Sequence, residues 1–403
     1  MVPPPAPALA LVRAVRAHGD RPAAPGPGAP SWRAVADDAR HLGLGLRDAG
    51  LAPGRRAVVE GTGLAPHQVL ERELAVLSTG AVLALDPGDE VSPVAVVGAD
   101  ELRVEGAAGP VTCDVDRLRR RGRAVDAEAP DRYEALLAAL DPADPSVALP
   151  GRQATGAEVT WALRAVDRWL APAFDGEGPG PVLVVDDGPG RGAAAVLGRW
   201  WPARAGAPLV DPGTDPAEAA RRAGATVVVA GPGHWRAVAA GLRDAGARSR
   251  ATAALLRRGR VVAAGEPAGP VERAGLAATR RWVGAGLRDV AGVAGLRAGV
   301  AWDGLDPVDA RDLAAALVPV VPTWCVAGAL APVASAPVAR PEPASGWGRP
   351  LPGRDVVADG SRTTIRGGDL PGGRLTLVAR TAVDGRGRVR LPRPPRGPGG
   401  GAA

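Results

Sequence analysis

The chain has 403 residues and a formal net charge of +6, and every one of its 49 Lys+Arg positions is an arginine; it holds no lysine, no asparagine, one isoleucine (Ile365), one tyrosine (Tyr133) and one phenylalanine (Phe174). The missing lysine excludes Schiff-base chemistry and a lysine-based phosphate loop. Glycine (56) and proline (42) bring the composition to the edge of the low-complexity range, while a hydrophobic content of 46% is enough for a core of Ala, Val and Leu.

The excess of Gly, Ala, Pro and Arg is what GC-rich codons give, so the positive charge is weak evidence for nucleic-acid binding. The one dense basic run, Arg117 to Arg123, has no aromatic residue on which a base could stack, and it reads as a solvated helix or turn. Two cysteines, Cys113 and Cys325, cannot build a disulfide framework or a zinc site, and His18, His41, His67 and His234 are not at ligand spacing. The N-terminus has no basic region ahead of a long apolar stretch, and no segment approaches about 18 consecutive apolar residues. A soluble, cytoplasmic protein is expected.

In chain order, Ser31-Trp32 opens a helical stripe through Val35, Ala39, Leu42, Leu46 and Ala49, closed by Gly50. A turn at Pro53-Gly54 feeds a short strand, Ala57 to Val59; a helix over Val69 to Thr79 follows, then a strand from Ala81 to Leu85 stopped by Asp86-Pro87. Strand, helix and strand in that order predict an α/β unit with parallel pairing. The theme recurs with strands at Val182 to Val185, Thr226 to Ala230 and Ala298 to Trp302, and helices at Glu158 to Leu170, Gly192 to Trp201, Pro216 to Ala223 and Ala237 to Ala245. Beyond about residue 340 the sequence is turn-rich, with short strands at Asp355 to Ala358, Arg362 to Arg366, Arg374 to Arg380 and Gly387 to Leu391. The divisions expected are an α/β subdomain over 1–175, a second over 176–340, a β-rich subdomain over 341–391 and a disordered Arg/Pro/Gly tail over 392–403.

Several stretches together resemble the large N-terminal domain of the AMP-forming adenylate synthetases, the family of acyl-CoA synthetases, luciferases and nonribosomal adenylation domains. They are SWRAVADDARHLGLGLRDAGLAPGRRAVV from Ser31, LERELAVLSTGAVLALDP from Leu70, AGATVVVAGPGHWRAVAAGL from Ala223, AGVAWDGLDPVDARDLAAAL from Ala298 and, most specific, SGWGRPLPGRDVV from Ser345. The spacing of the middle blocks is most similar to the long-chain acyl-CoA synthetase branch. The resemblance implies two stacked α/β subdomains plus a small distorted β-barrel, with the C-terminal lid domain absent after Leu391. It implies ATP or AMP and Mg²⁺ as ligands and, through that branch, a link to fatty acid metabolism.

The family's two-step chemistry, adenylation of a carboxylate and displacement of AMP by a thiol, needs particular side chains. Its hydroxyl- and glycine-rich phosphate loop with a lysine corresponds here to Ala148–Trp161, where Gly151, Arg152, Thr155 and Gly156 are the remnants, Thr155 standing at the lysine position and Trp161 where a histidine usually follows. Its aromatic, Thr and Glu motif corresponds to Trp324-Cys325-Val326-Ala327-Gly328, which keeps the ring and loses the hydroxyl and the magnesium carboxylate. Trp324 reads equally as a base-stacking ring or a core aromatic. Counting back from Arg380, the ribose-binding Asp falls near Leu377, which accepts no hydrogen bond. The His-containing segment is replaced by Val185-Asp186-Asp187-Gly188-Pro189. Asp186-Asp187 and Asp303 with Asp306 are paired carboxylates, read as turn residues.

Losing one charge-stabilising group typically costs on the order of 10²–10³ in rate, so several losses leave little adenylation. The reading expected is an inactive or strongly impaired paralogue that binds a small acyl or nucleotide ligand, or regulates a partner such as an active synthetase. The alternative is a working acyl-activating subunit completed in trans by a separate C-terminal domain.

Overall fold

The computed structural model describes residues 6–85, 95–106, 109–174, 176–185, 191–263, 269, 284–302, 304–326, 328–335, 347–359, 362–377, 381–384 and 387–390. Short apolar runs bounded by glycine and proline form the parallel centre of a first sheet: β1 (Arg56–Val59), β2 (Val82–Ala84), β3 (Ala95–Val97) and β6 (Pro145–Leu149). The hairpin β4 (Glu101–Gly106) and β5 (Gly109–Asp114) extends one edge antiparallel, and β7 (Arg152–Thr155) folds back on β6 at the other, giving the order β5-β4-β3-β1-β2-β6-β7.

Six helices surround this sheet: α1 (Pro7–Ala17), α2 (Trp32–Asp48), α3 (Pro66–Ser78), α4 (Val115–Glu128), α5 (Arg132–Ala138) and α6 (Gly156–Leu170). Ser31 caps α2 by accepting from the Ala34 amide at 3.2 Å, and the helix buries Trp32, Val35, Ala36, Ala39 and Leu42 on one stripe. A glycine inside α2 and one inside α4 have a shared packing reason. A Cβ on Gly45 would lie 2.2 Å from the Leu118 carbonyl oxygen, and one on Gly122 of α4 would lie 1.8 Å from that of His41, so α2 and α4 meet backbone to backbone. The dense arginine run lies in α4, where Arg119 pairs with Glu71 and Asp116, Arg121 with Asp48, and Arg123 with Asp38.

The second sheet carries five parallel strands, β8 (Val182–Val185), β9 (Leu209–Val210), β10 (Val227–Ala230), β11 (Ala298–Ala301) and β12 (Val320–Trp324). Three antiparallel strands, β13 (Ala334–Ser335), β14 (Trp347–Pro350) and β18 (Val389–Arg390), continue it in the order β18-β14-β13-β12-β11-β10-β8-β9. β15 (Asp355–Asp359), β16 (Arg362–Arg366) and β17 (Arg374–Leu377) form a separate antiparallel sheet. Thus two strands of the 341–391 segment extend the second sheet and three do not.

Between β8 and β9 the chain runs through α7 (Arg191–Ala195), one π-helical turn (Val196–Trp200) and α8 (Trp201–Ala205). Further along lie α9 (Pro216–Ala223), α10 (Pro232–Arg248), α11 (Arg250–Ala263), α12 (Gly284–Val290) and α13 (Pro307–Ala315). Alternation along β10 separates the cores: Val227 and Val229 join the large cluster shared with the first sheet, whereas Val228 and Ala230 face Trp235, Leu242 and Leu313. A third cluster gathers Trp324, Val333, Val356, Ile365 and Val389 under the small sheet. Among the described residues, no helix is long and apolar enough to cross a membrane.

Candidate functional site

The sequence-derived remnants converge where the end of the first sheet meets the loop after β12. β6 and β7 are joined by only Pro150 and Gly151, Gly151 taking a φ of +72° that suits glycine in so tight a turn. There is no room in this connection for an anion cradle of successive backbone amides. Thr155 is not part of a loop: it caps α6, its hydroxyl accepting from the Glu158 amide at 3.3 Å while the Glu158 carboxylate accepts from the Thr155 amide at 2.7 Å. Gly156 is the first residue of α6 and is held close, since a Cβ there would stand 2.5 Å from Cδ of Pro7.

Arg152 starts β7 and spans the gap. Its Nε donates to the Gly328 carbonyl at 2.6 Å, one Nη donates to the Glu158 carboxylate at 3.0 Å, and the other donates to the Asp369 carbonyl. Its side chain is only 12% exposed, so the charge is committed inside the protein. Gly328 takes a φ of +81°, and this left-handed turn presents its carbonyl to Arg152.

Trp324 ends β12 and is 8% exposed, packed among Ala329, Val333 and Val356. Of its two sequence readings, the core aromatic is the one the packing supports. Leu377 sits at the end of β17 opposite Thr363, and it packs against the same cluster. Arg380, Asp186, Asp187, Asp303 and Ala327 lie outside the described residues. Asp306 accepts from the Val308 amide at 2.8 Å at the start of α13, as a turn carboxylate does. Among the described residues, no group of three His, Cys, Asp or Glu side chains is placed to hold a metal ion.

Sequence reasoning missed the centre of this assembly, the ion pair of Arg354 and Asp369. The two side chains meet at 2.6 Å with both fully buried. One oxygen of Asp369 also accepts from the Leu330 and Ala331 amides at 3.2 Å each, and Arg354 donates to the Pro332 and Ala331 carbonyls at 2.9 Å each. Burial raises the Asp369 carboxyl above its ordinary range despite Arg354, and burial lowers the Arg354 guanidinium despite Asp369. The guanidinium also lies over the Trp161 ring, 5.2 Å from its centroid. Gly353 (φ +83°) and Gly368 pack on the same indole, where a Cβ would come within 3.0 and 2.5 Å respectively. The available signal was a glycine pair immediately before an aspartate, Gly367-Gly368-Asp369, and the turn Leu351-Pro352-Gly353-Arg354, closed by the Arg354 amide on the Leu351 carbonyl at 2.9 Å.

A separate cavity of about 680 Å³ opens between the two large sheets, past the ends of β1 and β9, and its wall is mixed, with Val59, Leu83 and Val184 among its apolar lining. Its polar wall includes Thr62, Asp211 and the pair of Glu73 with Arg199. The Arg199 Nε lies 3.0 and 3.1 Å from the two Glu73 oxygens, and the Trp200 indole donates to Glu73 at 2.9 Å. The π turn brings Arg199 and Trp200 together onto this carboxylate, and such turns occur often at functional sites.

The fold is that of the large domain of the AMP-forming acyl- and aryl-acid synthetases. The N-terminal domain of FACL13 from Mycobacterium tuberculosis is matched over 96% of this chain and 100% of its own, at 14% identity and a TM-score of 0.57. Unliganded o-succinylbenzoate CoA synthetase (MenE) from Bacillus subtilis is matched over 95% of this chain and 78% of its own, at 10% identity and a TM-score of 0.61. Coronafacic acid ligase from Pectobacterium brasiliense is matched over 96% and 77%, at 9% identity and a TM-score of 0.57. No family model matches the sequence, and no curated protein matches it significantly.

Proposed function

We propose that this protein is an adenylate-synthetase fold without adenylating activity, whose nucleotide cleft is closed by its own side chains and which serves as a binding or regulatory protein. One observation carries the reading: Arg152 bridges the β6–β7 turn to the Gly328 carbonyl, joining two segments that the resemblance assigns to the nucleotide cleft, and it also holds the Asp369 turn against them. A cation that already satisfies two carbonyls and Glu158 is not available to a triphosphate. The short turn, the buried Trp324 and the absence of a carboxylate at Gly328 point the same way.

What such a protein retains is space for a small molecule. The cavity beside Glu73 and Arg199 has a wall of mixed character, with Thr62 and Asp211 also lining it, which suits a small ligand that has both an apolar body and several hydrogen-bonding groups. ATP–pyrophosphate exchange with a panel of fatty and aryl acids, with and without lysate of the source organism, tests the reading. No exchange in either condition is expected. Exchange by the purified chain would overturn it, and exchange only with lysate would establish an acyl-activating subunit completed in trans.

A further inference from the structure

Just past α13 stands an exposed leucine in a conformation that leucine rarely adopts. Leu317 has a φ of +57° and is the only non-glycine residue with a positive φ among the described residues. Its amide donates to the Ala314 carbonyl at 3.1 Å, closing the helix. α8 and α9 are followed instead by left-handed glycines, Gly206 and Gly224, which take this conformation without a Cβ clash. Glycine is plentiful in this chain, at 56 residues, so a leucine here gives up stability that a common residue would keep. Its side chain gains no core in return, because the residue is 45% exposed. Basic side chains flank it. α11 lies across the ends of α10 and α13: a Cβ on Gly246 would stand 3.0 Å from Leu256, and one on Gly259 would stand 2.5 Å from Ala315, two residues before Leu317. On α11, Arg257 and Arg258 follow Arg250 by about two helical turns and share its exposed face, and among the described residues none of the three has an ion-pair partner. In α4, by contrast, Arg119, Arg121 and Arg123 are all paired.

A surface of opposite character lies on the other half of the chain. A cavity of about 380 Å³ opens at the N-terminal ends of the parallel strands of the first sheet, with Pro53, Leu77, Leu136 and Leu140 in its wall. Asp141 and Asp144 line it, both exposed and neither with an ion-pair partner among the described residues, against Arg47 as the one basic residue of the lining. An apolar knob beside arginines and an apolar hole beside carboxylates are complementary in polarity and in charge. We propose that Leu317 of one copy of this chain inserts into this cavity on a second copy, with Arg257 and Arg258 set against Asp141 and Asp144. The two surfaces are different parts of the chain, so the contact closes where two copies exchange it reciprocally and otherwise propagates head to tail. It uses neither the closed nucleotide cleft nor the cavity beside Glu73.

Sedimentation velocity on the chain from about 1 to about 100 μM, at about 50 mM and about 500 mM salt, tests this. Reversible association that rises with concentration at low salt and weakens at high salt is expected. Leu317→Gly should weaken association at least about tenfold while the melting temperature holds or rises, which a leucine serving only the fold would not give. Arg257→Glu with Arg258→Glu should abolish association, and so should Asp141→Asn with Asp144→Arg. Mixed together, these two variants should associate again, because each keeps the surface that the other has lost. A chain that stays monomeric throughout, association indifferent to salt, to Leu317→Gly or to either charge variant, or a mixture that stays monomeric would overturn the assignment. So would binding to phosphatidylglycerol vesicles, lost in the arginine variant, by a chain that does not self-associate, since that gives the surface to a membrane.

Discussion

The Nε of Arg152 donates to the carbonyl of Gly328 at 2.6 Å across a sequence separation of 176 residues. That bond and its companion to the Asp369 carbonyl tie the first sheet to the loop after β12 and to the turn between β16 and β17. Arg152→Ala leaves both carbonyls without this donor, and a loss of about 1–3 kcal/mol is expected. A urea melt reads it directly, and an unchanged midpoint would show that the arginine closes nothing.

Removing one partner of the buried Arg354–Asp369 pair strands the other charge. Asp369→Ala is expected to destabilise by about 3–5 kcal/mol. The double replacement Arg354→Met with Asp369→Leu should recover a substantial part of that loss, since it removes both charges together. Equal stability of the single and double variants would contradict this account of the pair.

Tyr133 is the only tyrosine in the chain, so its ionisation can be followed without assignment. The ring is fully buried, with the guanidinium carbons of Arg16 and Arg40 at 5.6 and 5.5 Å from its centroid. Burial pushes the phenol up to about 12, against the opposing pull of those arginines. A phenol whose folded value is raised contributes stability that is complete below its unfolded value near about 10 and is lost as pH rises through the folded one. Tyrosinate absorbance should therefore stay low at about pH 10 while the circular dichroism is native, and half-ionisation of native protein near about 10 would refute the burial argument.

Gly122 and Gly241 make a matched pair. Alanine has the better helix propensity at both by about 1 kcal/mol, yet Gly122→Ala forces α4 off the His41 carbonyl, an overpacking that typically costs about 1–3 kcal/mol. Around Gly241, in α10, nothing lies within 4 Å of a Cβ. Thermal melts should show Gly122→Ala less stable and Gly241→Ala slightly more stable than the parent, and equal behaviour would mean that the α2–α4 approach is not tight.

The parallel scaffold was legible because its strands are apolar runs cut by glycine and proline. Val182–Val185, Pro216–Ala223 and Arg362–Arg366 have the bounds their patterns predict. The β4–β5 hairpin was not legible as an element, because Glu101 and Arg103 give it a polar pattern; the run Arg117 to Arg123, read as a solvated helix or turn, lies in helix α4, which buries Val115, Leu118 and Val125. In the site, the resemblance made Arg152 and Thr155 remnants of a phosphate loop; here the chain turns through two residues and Thr155 caps α6. The Arg354–Asp369 pair joins residues 15 apart through a turn that packs on Trp161 of a distant helix, and no local pattern records such a meeting.

The most direct test of the closed cleft is equilibrium binding of ATP and AMP, with Mg²⁺, to the purified chain by isothermal titration calorimetry. The account predicts no saturable heat at nucleotide concentrations up to about 1 mM, for the parent chain and for Trp324→Leu folded protein alike. Micromolar binding of either nucleotide, weakened by Arg152→Ala, would contradict it, because it would show Arg152 serving a phosphate instead of the Gly328 and Asp369 carbonyls.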